Sequence, residues 1–462
     1  MPVPPVRTLA GFRYPLPTLR LAAFTAAPTV VSGRTSRTAG WFSPLAGRLG
    51  KVMVATPETP EISETTEAAE TFEAADTTTT VVIIGAGVAG MTLGNFLLRS
   101  GVDCVVVEKR SRAYVEQRQR AGVVDTRGVR MFREWGMEHV VKDSSSPAKI
   151  TGGTFIDGVR YDIAFGDDES EAVFCPQQVL VRNLTTAFLG AGGDLRYEAL
   201  DVALEALDSE RPTVSYRGAD GSTKVIACEY VAGCDGFHGV SRASIPAGEL
   251  TAHSHDYPYS WLSILAEATC EPYGMAIHDH GLAARFPRGA NASRLYLQCP
   301  GDDTPEDWPD ERVWTELSTR FGAEAPTGRI VDKRIVPLRS VVFDPMSFGR
   351  LHLLGDVAHI VPPMSAKGIH LALYDTEVFV RAILAKVKEG DGSLLDGYSA
   401  TCLSHVWNYQ AYAVWITDLM HNAGDASYGG AFRKRIARAE LRRLNDSPSA
   451  ARLFNDLNAG LL

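Results

Sequence analysis

From Val81 onward the chain alternates apolar runs with amphipathic stretches. "VVIIGAGVAGMTLGNFLLRSGVDCVVVEK" reads as an apolar strand, a glycine turn, a helix closed by Gly101 after "LLRS", and a second apolar strand ending on Glu108. This is a βαβ unit. "VAGCDGFHGVSR" at 231–242 and "GRLHLLGDVAHIVPPMSAKGIHLAL" at 349–373 are apolar strands running into Asp-Gly or Gly-Asp turns. Between them, "YSWLSILAEA", "LAARF" and "SRLYLQC" alternate with the two-residue period of an antiparallel sheet. From about Asp375, "DTEVFVRAILAKVKEG" and "FRKRIARAELRRL" return to three- and four-residue spacing, which predicts helices.

The stretch before Val81 follows neither pattern. Residues 1–50 hold six Arg and no Asp, Glu or Lys, the composition of an organellar presequence. Val52–Thr80 carries seven acidic residues and no basic one, a polar tract expected to form no core. Two origins compete for the Arg-rich part: a targeting peptide, or an over-long reading frame whose true start is Met53. The second is preferred, because the acidic tract begins there and a cytoplasmic redox enzyme needs no address. The expected organisation is an extension over 1–80, a nucleotide-binding domain over 81–256 completed by 344–376, an inserted sheet over 257–343, and a helical region over 377–462.

Global numbers then remove several function classes. A chain of 462 residues exceeds a single core, and a net charge of −9 leaves no basic surface for nucleic acid. Seven cysteines, scattered and without CxxC spacing, fit neither a disulfide framework nor a zinc site, so no metal is expected. No run of about 18 apolar residues predicts a membrane span.

The glycine turn carries the first specific chemistry. Gly85, Gly87 and Gly90 form GxGxxG between strand and helix, where they allow a tight turn, close approach of a pyrophosphate to the helix N-terminus, and helix–strand packing. Glu108, ending the second strand, is placed to accept hydrogen bonds from a ribose hydroxyl.

The turn, Asp235-Gly236 and Gly355-Asp356, in this order, resemble the motifs of the single-component FAD-dependent aromatic hydroxylases, in particular the branch acting on 4-hydroxybenzoate. The likeness runs from about Val81 to beyond Tyr409 and is sharpened by "AGCDGFHG", "PLRS" and "GDVAHIVPP". It implies an α/β fold: a Rossmann-like, glutathione-reductase-like FAD domain, an inserted antiparallel substrate sheet and a helical C-terminal region. It also implies FAD as cofactor, with Gly355-Asp356 at the flavin ribityl or pyrophosphate region and Asp235-Gly236 serving both FAD and the nicotinamide coenzyme. Arg120 would contact the FAD phosphate, while Gln177 and Arg182 line the flavin; Arg118 stands open between that role and a solvated loop charge. Lys367 and Gly368 would lie at the flavin as well, where the helix N-terminus offers positive potential.

For the coenzyme, NADPH or NADH, the resemblance points to Arg110, Tyr114, His238 and Arg339. Lys109, Arg110 and Arg112 together suit a 2′-phosphate, though a basic loop is also simply solvated. For the substrate it assigns a carboxylate clamp to Arg288 with Tyr296, and puts Arg294 closer to the flavin. The family's members are commonly dimers, so a homodimer is among the expectations; the other partners are an aromatic acid and O2, with neither nucleic acid nor membrane.

Departures from the family pattern bear on the reaction. Counting back from Tyr296 without gaps, Phe286 stands where the family has a carboxylate-binding Ser, and Met275 where it has the Tyr that bonds the substrate phenol. A slipped register would bring Tyr273 there instead. The C-terminal "ARLFNDLNAGLL" lacks the family's second relay Tyr, and His370 replaces an Asn beside the flavin. Pro363, Met275 and His370 are therefore the candidate catalytic positions. The family's chemistry delivers oxygen from a flavin C4a-hydroperoxide to an electron-rich ring carbon. Either a histidine, His370, His278 or His280, takes over the phenol proton, or the substrate is an aminobenzoate or aminohydroxybenzoate that needs no deprotonation. An FAD-dependent dehydrogenase or oxidase, and a non-catalytic flavin-binding protein, are the rival classes.

Overall fold

The computed structural model describes residues 75–117, 122–142, 146–147, 153–161, 170–270, 273–288, 291–421 and 430–462. Its first unit of structure is the one the glycine turn demands: strand β1 (Thr77–Ile84), helix α1 (Val88–Arg99) and strand β2 (Cys104–Glu108). β1 begins four residues earlier than the apolar pattern, because the β-branched threonines 77–79 pair with Ile226–Cys228. The chain continues through α2 (Thr126–Glu134), β3 (Thr154–Ile156), β4 (Val159–Tyr161), α3 (Gln177–Gly190), β5 (Asp194–Tyr197), β6 (Leu200–Glu205), β7 (Thr213–Arg217) and β8 (Thr223–Gly233). Next come β9 (Thr251–Glu267), β10 (Gly274–His278), β11 (Gly281–Pro287), β12 (Ser293–Pro300), α4 (Asp310–Phe321), β13 (Arg329–Asp344), β14 (Leu351–Leu353) and β15 (His359–Ile360). The longer helices that close the chain among the described residues are α5 (Gly368–Glu389), α6 (Tyr398–Met420), α7 (Gly430–Asp446) and α8 (Pro448–Ala459).

The elements build two large sheets. In the first, β14, β8, β1, β2 and β5 run side by side and parallel, with β7 added antiparallel to β8 and β6 to β7. Helices α3 and α5 pack on α1. The α/β, Rossmann-like class read from the sequence is what folds.

The second sheet has the order β15, β13, β9, β12, β11, β10, β3, β4. Its two faces have different partners. Leu262, Ile264, Ala276, Ala283, Leu295 and Leu297 form a core with Trp308, Val313, Leu317 and Phe321 on and beside α4. The opposite parity, which includes Trp261, Met275, Ile277, Leu282 and Ala284, joins the core shared with the first sheet. β3 and β4 lie far upstream in sequence and dock on β10 by parallel pairing of Met275 with Thr154. That long-range pairing leaves no local signal in the chain, so this stretch, expected within the nucleotide-binding domain, pairs with the second sheet instead.

Candidate active site

At the glycine turn, Gly85 has φ +104, and a Cβ there would sit 2.6 Å from the Cys234 carbonyl oxygen. A Cβ on Gly90 would fall 2.0 Å from the Gly85 oxygen, so only glycine lets α1 start this close to β1. Gly87 differs: nothing lies within 4 Å of its would-be Cβ. It opens α1 with no side-chain cap and no acidic residue in the first turn, leaving the helix amides for an anion. Glu108 is held at the same mouth, its Oε2 accepting from the Ala86 N–H at 2.9 Å and its Oε1 from the Arg110 N–H at 2.8 Å.

Across from the turn, Asp235 folds its carboxylate under its own loop. Oδ2 accepts from the Ser241 N–H at 2.9 Å, and a Cβ at Gly239 would collide with the carboxyl at 2.0 Å. Burial pushes this carboxyl up, against the opposing effect of the Ser241 hydrogen bonds. Oδ1 is buried and accepts nothing among the described residues, as suits a site awaiting a hydroxyl donor. Gly236, with φ +76, faces open space. Gly355 also has φ +76 and donates its N–H to Asp375 Oδ2 at 2.9 Å, while His359 Nε2 meets the same oxygen at 2.7 Å. Burial opposes protonation of His359, but Asp375 and Asp356 together hold its pKa above the ordinary value. Uncapped amides, open glycines and an orphaned carboxylate oxygen fit an adenine dinucleotide with ribose and ribityl hydroxyls. Gln177 opens α3 half-buried beside Gly122, whereas Arg182 is exposed on the same helix. Arg118 and Arg120 lie outside the described residues.

The N-terminus of α5 differs from the expectation. Gly368 opens it onto free space, and Pro363 sits exposed on the turn before it. Lys367, however, does not reach into the cradle. It is 1% exposed, donating to Asp125 Oδ2 at 2.9 Å and to the Asn458 carbonyl at 2.5 Å. A buried ammonium needs a counter-ion and takes the nearest carboxylate. Burial alone would raise the Asp125 carboxyl, but Lys367 and His370 hold it well below the carboxylate range. His370, 3% exposed, places Nδ1 2.7 Å from Asp125 Oδ2, off the ideal bond direction, and its Nε2 2.8 Å from His405 Nε2.

The expected substrate residues come together on the face of the second sheet away from α4. One cross-strand row runs Ser263, Tyr296, Ala284, Met275, Thr154, and the next carries Leu265, Arg294 and Phe286. Phe286 meets the Tyr296 ring edge-on at 6.3 Å, and Trp261 tilts against it at 4.9 Å. Arg294 donates to Ser263 Oγ at 3.2 Å. Arg288 is half-buried and pairs with no carboxylate among the described residues. Burial lowers its pKa, with Arg294 adding to the effect and Tyr296 opposing it; burial raises that of Tyr296, and both arginines oppose that shift.

Met275 pairs with Ala284 in an unbroken register, so Tyr273 precedes the strand instead of replacing Met275 in the row. His278 and His280 are excluded as proton acceptors for this face. His278 has the parity of Ala276, toward α4, and His280 is exposed in the turn, 3.3 Å from Glu316. Arg285, the remaining arginine of this hairpin, is also on the α4 side, stacked over Phe321 at 4.3 Å.

At the rim, Arg110 lies over the Tyr114 ring at 5.1 Å, both exposed. Arg112 is taken by Glu116 at 2.7 Å, so the basic trio expected for a 2′-phosphate reduces to Lys109 and Arg110. His238 and Arg339 gather on one side chain, the Phe237 ring, at 5.0 and 5.5 Å.

Sequence reasoning missed several residues here. Thr154 Oγ1 is buried beside Met275 without a partner among the described residues. Trp261 Nε1 donates to His421 Nε2 at 2.7 Å, while His421 Nδ1 faces the Thr417 carbonyl at 2.8 Å, which fixes the tautomer. Asp125 had a usable signal as the N-cap of α2, accepting from the Gly128 N–H at 3.0 Å.

Residues 78–413 match the FAD binding domain family FAD_binding_3. The chain is 33% identical over 393 residues to p-hydroxybenzoate hydroxylase of Acinetobacter baylyi, covering 83% of this chain and 95% of that protein. It is 26% identical over 341 residues to a 3-(3-hydroxy-phenyl)propionate/3-hydroxycinnamic acid hydroxylase of Mycolicibacterium smegmatis, spanning 70% of this chain but 58% of that one. The fold is also similar to that of p-nitrophenol 4-monooxygenase PnpA from Pseudomonas putida DLL-E4, with TM-score 0.70, 18% identity, and 83% and 99% of the two chains covered. Among the described residues no helix is long and apolar enough to cross a membrane. With the dinucleotide cradle and these likenesses together, the chain belongs to the FAD-dependent aromatic hydroxylases, flavin monooxygenases that carry FAD as cofactor.

Proposed function

We propose that the protein hydroxylates an aromatic acid of the 4-hydroxybenzoate type, using NADPH or NADH as reductant. The observation carrying this reading is Arg288, a half-buried guanidinium with no carboxylate partner among the described residues, electrostatically coupled to Tyr296 and Arg294. A guanidinium in that setting binds a carboxylate in forked geometry and so fixes the plane of an attached ring. Tyr296 completes the clamp from the neighbouring strand, and Phe286, Trp261 and Met275 supply an apolar wall. When bound, FAD supplies reducing equivalents and oxygen activation. The chain's own contribution is to hold the acid by its carboxylate, exclude water with the aromatic wall, and receive the coenzyme along Lys109, Arg110, Tyr114, His238 and Arg339.

A second reading of the ring substituent is favoured by Met275. Its row holds Ser263, Tyr296, Ala284 and Thr154, so the position that would remove a phenol proton is a thioether. An amino-substituted acid activates the ring without losing a proton, and the buried Thr154 hydroxyl is suited to accept from it. The test is substrate-dependent coenzyme oxidation over hydroxy-, amino- and aminohydroxybenzoates, with product masses. Gain of one oxygen on one class identifies the substituent; no stimulation by any carboxylate-bearing ring, with Arg288→Ala behaving as wild type, rejects the clamp.

A further inference from the structure

Beneath the N-terminus of α5 a line of side chains leads from the buried charge pair to the surface. Lys367 bonds Asp125, Asp125 faces His370 Nδ1, His370 Nε2 meets His405 Nε2 at 2.8 Å, and His405 stacks on Tyr374 at 3.7 Å and 9°. His405 is partly exposed and lines an open cavity of about 390 Å³ with Tyr374, Thr401, Ser404, Asn408 and Leu462. Gly460 seals the inner end, since a Cβ there would fall 2.7 Å from Asp125 Oδ2 and from His370. Two imidazole nitrogens at 2.8 Å require one to carry a proton and the other a lone pair. With His370 Nδ1–H toward Asp125, His370 Nε2 is the acceptor and His405 Nε2–H the donor.

We propose that His370 and His405 form a two-ring proton conduit joining the charge cluster under α5 to solvent, so that a proton enters when negative charge arises above that helix end on reduction of FAD. This rests on FAD lying at the α5 N-terminus, not on the identity of the substrate. One solvent proton binds His405 Nδ1, and the His405 Nε2 proton passes to His370 Nε2. His370 becomes an imidazolium beside the Asp125 carboxylate, and His405 stays neutral in its other tautomer. The two electrons come from the reductant; the conduit moves one proton and no electron.

Every element packed on the pair bears on it. Asp125 raises the proton affinity of both rings. Lys367 lowers that of His370, Arg127 on α2 that of both, and His359 on β15 that of His405; Tyr409 on α6 lies 4.4 and 4.7 Å from the two rings. Arg127 is itself held by Glu377 at 2.8 Å and lies over Tyr374 at 4.7 Å. Burial is the leading cause that keeps both rings neutral, with the His405 pKa lowered to about 3. The conduit therefore stays uncharged until compensating negative charge arrives.

The test is a mediated electrochemical titration of the FAD-loaded protein from pH 5.5 to 8, which needs neither substrate nor nicotinamide. The pH dependence of the midpoint counts protons taken up per electron pair. His405→Phe keeps the stack on Tyr374 but carries no proton, and is expected to lose up to about one proton per pair. Imidazole added to His405→Ala, entering the open cavity, is expected to restore it. Nitrogen-15 shifts of the two rings should show His405 protonated at Nε2 when oxidised and at Nδ1 when reduced. Identical pH slopes for wild type and both variants, or unchanged histidine tautomers on reduction, overturn the proposal.

Discussion

Met275 and Tyr296 stand in one cross-strand row of the second sheet with Ala284 between them, on the face turned away from α4. The thioether and the phenol therefore share one face of the sheet.

Met275→Ala removes a side chain that is 3% exposed, and such truncations cost about 2–5 kcal/mol. Thermal unfolding should fall accordingly. Met275→Tyr keeps the volume nearer and adds a hydroxyl. It should raise turnover of hydroxybenzoates relative to aminobenzoates; an unchanged ratio means that the ring substituent does not meet this position.

Arg288→Ala should raise KM for the aromatic acid by about 10- to 150-fold, the equivalent of about 1.5–3 kcal/mol for a hydrogen bond to a charged group. Arg288→Lys should recover only part, since an ammonium lacks the fork. Steady-state kinetics with the acid and its amide separate the two: loss of preference for the acid is the expected outcome.

Gly87→Ala and Gly90→Ala should part company. The first adds a methyl to open space and should leave the apo-protein's unfolding midpoint unchanged while weakening FAD binding, read by flavin fluorescence. The second drives a methyl to 2.0 Å from the Gly85 oxygen and should unfold or expand the βαβ unit. Equal effects of both on stability would falsify the assignment of Gly87 to the cofactor.

Acid should destabilise the fold from about pH 6.5 downward. Burial lowers His352 and His421 to about 4, so between about 6.5 and 4 the unfolded chain binds protons that these folded rings do not. The stability these two rings contribute is intact above the unfolded pKa and is lost as pH falls, by about 1.4 kcal/mol per pH unit for each. Urea midpoints at pH 7.5 and 5.0 test this, and His421→Gln should show a shallower loss than wild type.

Asp125 acts in a lower window. Its carboxyl is held below the unfolded value, so its contribution is present above about pH 4 and disappears as pH drops through the folded pKa. Asp125→Asn leaves Lys367 buried without its counter-ion, a change that costs about 3–5 kcal/mol at neutral pH. Lys367→Met in the same background should regain part of it.

What could be read from the chain alone was whatever depends on neighbours in sequence. The βαβ unit, the glycines of the turn, the Asp235 and Gly355 loops and the strands around Tyr296 are local, because periodicity and turn chemistry act over a few residues. Arg288, Arg294 and Tyr296 could be named through the family resemblance of one short segment; Arg288 lies just past the end of β11, and the other two lie on the adjacent β12. Tertiary structure decided everything that joins distant segments: Thr154 beside Met275, Asp125 under Lys367, His405 against His370, Trp261 on His421, and Gly460 closing over Asp125. It also decided which arginine, Arg294, shares the face of Phe286 and which, Arg285, faces α4, since one residue of register moves a strand side chain to the other face. The physical reason is that a buried charge or orphaned polar group takes its partner from whatever the folded core brings within about 3 Å, and that choice leaves no trace in the spacing of residues along the chain.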